Sequence, residues 1–227
     1  MSYNPAKRSV PDENGAEREA SSQERGSDMV TATVEAHHWT REEYERLVEA
    51  GAFEGWKIEL VDGVLYDMMA QGPAHSSAVQ KLLRELLAIA SGKSLDVRPQ
   101  MPLAVLDDSL PEPDIAVVPA DPDDYARSNP AEAVLVVEVA QSSLSYDRSV
   151  KLAAYSQAGI PEYWILNLAS WQLEVYRDPV GYHYKSNTLL DLADEVSPLF
   201  APEASIQVSK LFPQRGSSHS NNTSTSF

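Results

Sequence analysis

The chain has 227 residues, a formal net charge of −16 at pH 7, no cysteine and 43% hydrophobic residues. This composition allows a buried core, excludes disulfides and thiolate metal sites, and argues against a protein that coats nucleic acid nonspecifically. No apolar run reaches the length of a membrane span and no signal-type segment opens the chain, which predicts a cytoplasmic protein with no membrane partner.

Three segments of different composition divide the chain. Residues 1–36 are polar and charged, and residues 213–227 are rich in serine, asparagine and threonine. Both are predicted to be disordered, because they cannot bury enough apolar surface to offset the entropy of ordering. Residues 37–212 between them are predicted to form one domain, with 13 Lys and Arg residues against 27 Asp and Glu residues.

The domain is predicted to open with a helix and a hairpin. Thr40 and Glu43 have the spacing of a capping box, so a short helix should follow to about residue 50. Asp62-Gly63 stands between two β-prone runs, which is a strong hairpin signal. Glu59 alternates with apolar neighbours in the first run and is therefore expected to face solvent.

A second helix and short strands follow the hairpin. Apolar residues spaced three and four apart over 75–91 predict an amphipathic helix. His75 lies at its start, where a histidine is more often a capping or surface residue than a ligand. Short strands are predicted near 95–98 and 102–106, with a turn at 107–109.

Two apolar runs near the middle of the chain each contain one carboxylate, Asp114 in the first and Glu138 in the second. Both runs are rich in β-branched residues, which predicts buried strands. A buried carboxylate costs free energy unless something pairs with it. If the strands are neighbours, the two acids indicate a shared cation; the alternative is that each lies at a strand end in contact with water.

A helix predicted over about 146–158 contains Asp147, Lys151 and Tyr155, which are spaced four apart. Residues at this spacing share one face of a helix. One possibility is an ordinary Asp–Lys ion pair at the surface of the protein. The other is that this face of the helix points toward the two strand carboxylates and takes part in catalysis.

The C-terminal third is predicted to be mainly strands, at 162–168, 171–177, 182–187 and about 205–208. The predicted loops that join the first three are Ala169-Ser170 and Pro179-Val180-Gly181. Antiparallel hairpins on either side of a strand–helix–strand centre predict an α/β (α+β) fold with a mixed sheet and flanking helices. Alternation should place some of the aromatic residues of these strands on an outer face, which predicts a homodimer, while a buried core explains the same residues about as well: Tyr163, Trp164, Trp171 and Tyr176.

Two acids and a lysine form a chemically coherent set for phosphodiester hydrolysis. Mg²⁺ or Mn²⁺ prefers oxygen ligands and retains bound waters. Such a cation can lower the pKa of a bound water, and a nearby lysine can stabilise the negative charge on the phosphate. The predicted metal ligands are Asp114 and Glu138, and Lys151 is the predicted stabiliser.

Several short motifs occur together and in order, and their set is more specific than any one of them. They are Glu-Leu-Val-Asp-Gly at 59–63, His75 before a leucine-rich helix, Pro-Asp-Ile-Ala-Val-Val at 113–118, Val-Val-Glu-Val at 136–139, a serine at 142 or 143, Asp147, Lys151, Tyr155, and Gly-Ile-Pro-Glu-Tyr-Trp-Ile at 159–165. Over about residues 37–212 the chain resembles the Uma family of restriction-endonuclease-like proteins, a branch of the PD-(D/E)XK nuclease superfamily.

The resemblance implies the restriction-endonuclease-like fold and a metal-dependent hydrolase that acts on DNA. It implies Asp114 and Glu138 as metal ligands, Glu59 as a third acid, and accessory roles for His75, Asp147 and Tyr155. The chain departs from the superfamily pattern at Ala140, two residues after Glu138, where the superfamily usually has lysine. Lys151 on the following helix is the next lysine and the expected replacement.

Two other functions fit parts of the sequence. A non-catalytic interaction or assembly module of the same fold would account for the acidic surface and for Ala140 at the lysine position. A metal-dependent phosphohydrolase of small phosphates would fit the acidic surface better than DNA does. Conservation of fold does not by itself establish activity, so these alternatives stay open at the level of sequence.

Overall fold

The computed structural model describes residues 35–214. Residues 1–34 and 215–227, which include nearly all of the two segments predicted to be disordered, lie outside the described residues. The predicted domain boundaries at 37 and 212 therefore stay a prediction. No helix in the described range is long and apolar enough to cross a membrane.

Helices and strands follow one another largely as the hydrophobic pattern predicts. The helices are α1 (Arg41–Glu49), α2 (Pro73–Ala90), α3 (Leu144–Tyr146) and α4 (Leu152–Gln157), with a π-helical segment, π1 (Asp147–Lys151), between α3 and α4 and a 3-10 turn at Val208–Lys210. The strands are β1 (Ile58–Val61), β2 (Val64–Asp67), β3 (Leu95–Pro99), β4 (Ile115–Pro119), β5 (Leu135–Ala140), β6 (Glu162–Asn167), β7 (Gln172–Val180), β8 (His183–Leu190), β9 (Glu195–Val196) and β10 (Ile206–Gln207). The capping box of α1 forms as predicted, because Thr40 and Glu43 exchange side-chain and backbone hydrogen bonds.

A six-stranded sheet in the order β3-β4-β5-β6-β7-β8 forms the centre of the molecule. β5 and β6 are parallel and the other neighbours are antiparallel. The parallel pair is connected through the helical segment from α3 to α4, since parallel neighbours need a crossover. β1 pairs with β2 and β9 with β10 in two small antiparallel ribbons. The mixed sheet, hairpins and helices confirm the predicted fold class.

The two faces of the sheet bury separate apolar clusters. In β5, Leu135 and Val137 join the cluster that includes the apolar face of α2, whereas Val136 and Ala140 join the cluster that includes Tyr155 of α4. Because side chains alternate along a strand, Glu138 lies on the same face as Val136 and Ala140. The strand that bears the acid is therefore covered on both sides, as its continuous apolar run predicts.

The strand predicted near 102–106 is wrong. Only one isolated bridge, between Leu106 and Ser109, forms in this part of the chain. Leu103 is fully buried without belonging to a strand, so its apolar pattern reflects packing of a loop against the core. Pro102 also lacks the backbone N–H that a strand at this position would use.

Two details of the C-terminal strands differ from the prediction. β7 extends to Val180, so the β7–β8 turn lies at Gly181-Tyr182 instead of Pro179-Val180-Gly181. The short strand β9 was not predicted, because two residues are too few for a periodic pattern. It pairs with β10, which was expected near 205–208.

The aromatic residues of the C-terminal strands lie in the core. Tyr163 and Trp164 are fully buried, Tyr176 is 7% exposed, and Trp171 is half-buried and stacks on Phe212. Tyr163 also stacks on Tyr176 within the cluster on the α4 side of the sheet. These residues therefore offer no outer aromatic face, and the reason given for a homodimer does not hold.

A buried carboxylate and lysine cluster as the candidate active site

A cavity of about 340 Å³ opens at one end of the sheet. It is lined by parts of the β1–β2 ribbon, the segment that leads into α2, the residues before β4, the end of β5, and π1. All but one of the seven predicted site residues line it: Glu59, His75, Asp114, Glu138, Asp147 and Lys151. The seventh, Tyr155, does not line the cavity but donates a hydrogen bond to Glu138, which does.

Asp114 and Glu138 are neighbours because β4 and β5 pair in antiparallel register, with Ile115 opposite Val137. Asp114 lies one residue before β4 and Glu138 within β5. The backbone N–H of Asp114 donates to Glu138 Oε2 at 3.3 Å, and the backbone N–H of Val139 donates to Asp114 Oδ2 at 2.8 Å. Each carboxylate is thus fixed by the other's backbone segment.

Lys151 lies between two of the acids. Its Nζ is 2.9 Å from Glu138 Oε1 and 3.1 Å from Glu59 Oε2, and its side chain is only 2% exposed. Tyr155 Oη donates to Glu138 Oε1 at 2.8 Å. The surface Asp147–Lys151 pair that the spacing also allowed is therefore wrong, since both residues are buried.

Glu59 was expected to face solvent and is 1% exposed instead. Alternation requires that Glu59 and its neighbours lie on opposite faces, but β1 is covered on both faces. Leu60 and Val61 are fully buried as well, and Lys151 covers the Glu59 side. Glu59 is therefore part of the cluster.

The helical segment that carries Lys151 is more irregular than the predicted α-helix over 146–158. It begins at Leu144, and π1 interrupts it where the Leu152 N–H bonds to the Asp147 carbonyl five residues earlier. π-Helical turns are rare and occur mainly at functional sites. Asp147 is 2% exposed and accepts a hydrogen bond of 2.6 Å from Ser143 Oγ.

His75 is buried, with 7% exposure, and not at the surface as most first-turn histidines are. Its Nε2 lies 3.0 Å from Asp114 Oδ2. Its Nδ1 is buried and has no hydrogen-bond partner among the described residues. His75 therefore holds one oxygen of Asp114 and leaves the other, Oδ1, to different partners.

Two glutamines that the sequence analysis missed contact this second oxygen. Gln71 and Gln100 each place Nε2 at 3.3 Å from Asp114 Oδ1. No sequence signal singles out either of them, because both lie in irregular segments. Gln100 has a φ of +50°, an uncommon conformation for a residue with a side chain, and such strain clusters at functional sites.

Burial raises the pKa of two carboxylates in the cluster. Burial raises the pKa of Glu138 to about 8; Lys151 opposes this rise and the nearby Asp114 adds to it. Burial also raises the pKa of Asp147 to about 6, against the effects of Lys151 and the Ser143 hydrogen bond. The cluster therefore has more carboxylates than its one lysine can neutralise.

Asp114 and Lys151 are shifted toward their charged forms. Burial alone would raise the pKa of Asp114, but the hydrogen bond and charge of His75 and the Val139 N–H outweigh it, so this pKa falls below its usual value. Burial alone would lower the pKa of Lys151, but Glu138 and the other acids hold it well above its usual range. Lys151 is therefore a permanent cation in the cluster.

The donor set fits a hard divalent cation held by two carboxylates. Among the described residues, no three His, Asp or Glu side chains already form a metal-binding group. Asp114 Oδ1 and Glu138 Oε2 are nevertheless the less strongly bonded oxygens of the two acids, with contacts of 3.3 Å only. Mg²⁺ is commonly held by one or two carboxylates and completed by waters, and these two acids are side chains of the kind that it binds.

Comparisons with known proteins agree with the fold. The family model Uma2, described as "Putative restriction endonuclease", matches residues 41–209. Among solved structures, the chain is similar to a "putative nuclease belonging to DUF820" from Anabaena variabilis, with a TM-score of 0.61 and 15% sequence identity over 77% of this chain and 97% of that chain. No curated protein matches the chain. The family resemblance drawn from the motifs is confirmed: the protein has a restriction-endonuclease-like fold and belongs to the Uma2 family.

Proposed function

We propose that this protein is a Mg²⁺- or Mn²⁺-dependent endonuclease that hydrolyses phosphodiester bonds of DNA. The observation that carries the proposal is the position of Lys151, whose buried Nζ lies 2.9 Å from Glu138 and 3.1 Å from Glu59. Asp114 lies beside Glu138, one residue before the neighbouring strand β4. Two acids and a lysine thus lie together, although Ala140 occupies the position at which the superfamily usually has its lysine.

Each residue of the cluster has a separate task in this proposal. Asp114 and Glu138 hold the cation, which supplies a bound water of lowered pKa and stabilises negative charge on the phosphate. Lys151 presents a fixed ammonium to the phosphate or to the attacking water, and such preorganised charge is effective in a water-poor cavity. Glu59 holds Lys151 in place from its other side.

Residues that touch the acids position them. Tyr155 donates to Glu138 Oε1, so the carboxylate keeps Oε2 on the side of Asp114. His75 and the Val139 N–H both bind Asp114 Oδ2, which leaves Oδ1 to the two glutamine amides. Amide groups at 3.3 Å are weak partners, and a cation can displace them at little cost.

The buried ions favour an enzyme over a non-catalytic module of the same fold. Replacing a buried ion pair by apolar residues of similar volume is often neutral or stabilising. A module that only needed the fold would therefore gain no stability from a buried Lys151 surrounded by the carboxylates of Glu138, Glu59 and Asp147. Catalysis gives these residues a reason to be charged and buried together.

A cleavage assay tests the proposal. Single-stranded DNA and supercoiled plasmid are each incubated with the protein in Mg²⁺, Mn²⁺ or EDTA, beside Asp114→Ala and a control variant of an exposed acid, Glu132→Ala. We expect cleavage of at least one of these DNAs with either cation, none with EDTA, and a loss of at least about a hundredfold in Asp114→Ala only. Equal cleavage in EDTA or in Asp114→Ala would contradict the proposal. If both DNAs stay intact while phosphate is released from nucleotides, the phosphohydrolase of small phosphates is favoured instead.

A further inference from the structure

A second cavity of about 540 Å³ adjoins the candidate active site. Six residues line both cavities, so the two spaces are continuous: Lys57, Asp67, Met68, Met69, Ala70 and Gln71. The second cavity adds Gly55 and Trp56, which precede β1. None of the chemistry proposed above uses this space.

Two large apolar side chains of the second cavity are unusually exposed. Trp56 is 66% exposed and Met69 is 81% exposed. Lys57 follows Trp56 directly; its side chain is 40% exposed and its Nζ lies 3.8 Å from Glu112. An aromatic face, a flexible thioether and a loosely paired ammonium together match the two parts of a nucleotide, a base that stacks and a phosphate that carries charge.

The reacting groups are too deeply buried for an intact double helix to reach. Glu59, Lys151, Glu138 and Asp114 are between 1% and 5% exposed at the end of a 340 Å³ cavity. A cavity of this size admits about one nucleotide of a flexible strand. A flexible single strand can enter so narrow a space, and enzymes that do chemistry on a base meet the same constraint by using single strands or by extruding a nucleotide from the duplex.

The charges around the two cavities also disfavour a duplex. Their lining contains two lysines, Lys57 and Lys151, and six acids: Glu59, Asp67, Glu112, Asp114, Glu138 and Asp147. Duplex-binding proteins neutralise several phosphates with Lys and Arg, and this lining cannot do so. Binding by stacking, with one or two phosphates at the lysines and the cation, requires much less positive charge.

We propose that the substrate is single-stranded DNA and that Trp56 binds a base next to the scissile phosphate. This inference rests on the proposed function, because it assumes that the first cavity holds the phosphodiester. Met69 contacts the same base, and Lys57 binds the phosphate that joins it to the reacting nucleotide. The second cavity is thus the part of the site that selects unpaired DNA.

The test compares three substrates in Mg²⁺ or Mn²⁺: a single strand, the same sequence as a duplex, and methyl p-nitrophenyl phosphate, a small diester without a base. Trp56→Ala should lower kcat/KM on the single strand by about tenfold to a hundredfold, mainly through KM, since stacking on an aromatic residue contributes that much per base. Trp56→Phe should keep most of the activity. The kcat for the small diester should be the same in the wild type and Trp56→Ala, because its phosphate reacts in the first cavity and a contact of its nitrophenyl ring with Trp56 would change KM only.

Tyr182 provides a matched control, because it is also 66% exposed but lies at the β7–β8 turn. Tyr182→Ala should leave kcat/KM on the single strand unchanged. If the duplex is cleaved as fast as the single strand, or if Trp56→Ala behaves as Tyr182→Ala does, the inference is overturned while the proposed function stands.

If no DNA and no diester is hydrolysed, the proposed function fails, and binding still decides the inference. Fluorescence anisotropy of a labelled single strand is then measured with the wild type, Trp56→Ala and Tyr182→Ala. Binding at least tenfold weaker in Trp56→Ala alone supports the base site. Equal binding by all three proteins overturns it.

Discussion

At the scale of single residues, Lys151 and its partners form a mutually dependent set. Its ammonium contacts Glu138 and Glu59, and Tyr155 and Asp114 hold Glu138 in turn. Removing one member leaves the others buried without a partner, which costs more than the pair itself contributes. Variants that keep the shape of a side chain are therefore the informative ones.

Lys151→Met should keep the affinity for Mn²⁺ within a fewfold and lose about two to three orders of magnitude in kcat. The reason is that Lys151 contacts Glu138 at Oε1, whereas the proposed metal-facing oxygen of this acid is Oε2, and one electrostatic stabiliser is worth about that much. Single-turnover cleavage and Mn²⁺ titration measure the two effects. Lys185→Met, at an exposed lysine, is the control, and wild-type turnover in Lys151→Met would contradict the assignment.

Glu138→Gln should make the metal-free protein more stable at pH 8 and not at pH 5. The pKa of Glu138 is raised from about 4.5 to about 8, so the folded state resists its ionisation. Stability of the wild type should therefore fall as pH rises through this window, and the variant should lack that fall. Thermal unfolding in EDTA at pH 5, 6, 7 and 8 measures the difference, expected to reach a few degrees.

Asp114→Asn should change the stability of the protein in the opposite direction to Glu138→Gln. The pKa of Asp114 is lowered, so its charge contributes stability above its unfolded pKa that is lost as pH falls through the folded pKa. The variant should be less stable than the wild type at pH 7 and approach it in acid. The same direction of change in both variants would contradict the opposite pKa shifts of Asp114 and Glu138.

The sequence identifies Asp114 and Glu138 because an acid in an apolar β-branched run needs a partner. It does not identify the burial of Glu59 or His75. Alternation states that neighbouring side chains point to opposite faces, but not that π1 covers the outer face of β1. The burial of His75 depends in the same way on Asp114, which is 39 residues away in the chain.

Among the helices and strands, features that depend on residues close together in the chain form as the sequence predicts. Features that depend on the rest of the fold do not. The capping box of α1 and the Asp62-Gly63 hairpin form as predicted, since each is decided by residues within a few positions. π1 was not predicted, because an extra residue in a helical turn has no periodic signature. The strand predicted near 102–106 failed because burial alone produces the same apolar pattern.

The β1–β2 turn positions Glu59, so strain at Gly63 should affect the site. Gly63 has a φ of +68°, and an added Cβ would approach the ring of His38 closer than non-bonded atoms normally come. Gly63→Ala should cost about 2–3 kcal/mol and lower turnover, since both backbone strain and the clash oppose it. Chemical denaturation and the cleavage assay measure the two effects.

Substitution of Gly92 tests the effect of backbone strain without a steric clash. Its φ is +76°, but an added Cβ would meet nothing within 4 Å. Gly92→Ala should therefore cost only about 1 kcal/mol and leave turnover unchanged. Equal losses of stability in the two variants would indicate that the fit against His38 is unimportant.

At the scale of the whole molecule, the charge of −16 limits how DNA can bind. With two lysines at the cavities, about two phosphates are neutralised by the protein. The logarithm of kcat/KM on a single strand should then fall with the logarithm of salt concentration with a slope of about −1 to −2. A slope steeper than about −5 would reveal an extended basic surface that the cavities do not show.

We propose that Asp114 and Glu138 together hold a divalent cation, and this can be tested by following Mn²⁺ binding by electron paramagnetic resonance. The strong acidic charge of the chain attracts cations weakly everywhere, so the control protein carries Asp124→Asn and Glu132→Gln, at two exposed acids. We predict one Mn²⁺ per chain in the wild type and in the control, and loss of that ion in Asp114→Asn/Glu138→Gln. Equal Mn²⁺ binding by all three proteins, or none by the wild type, would show that Asp114 and Glu138 do not hold the cation.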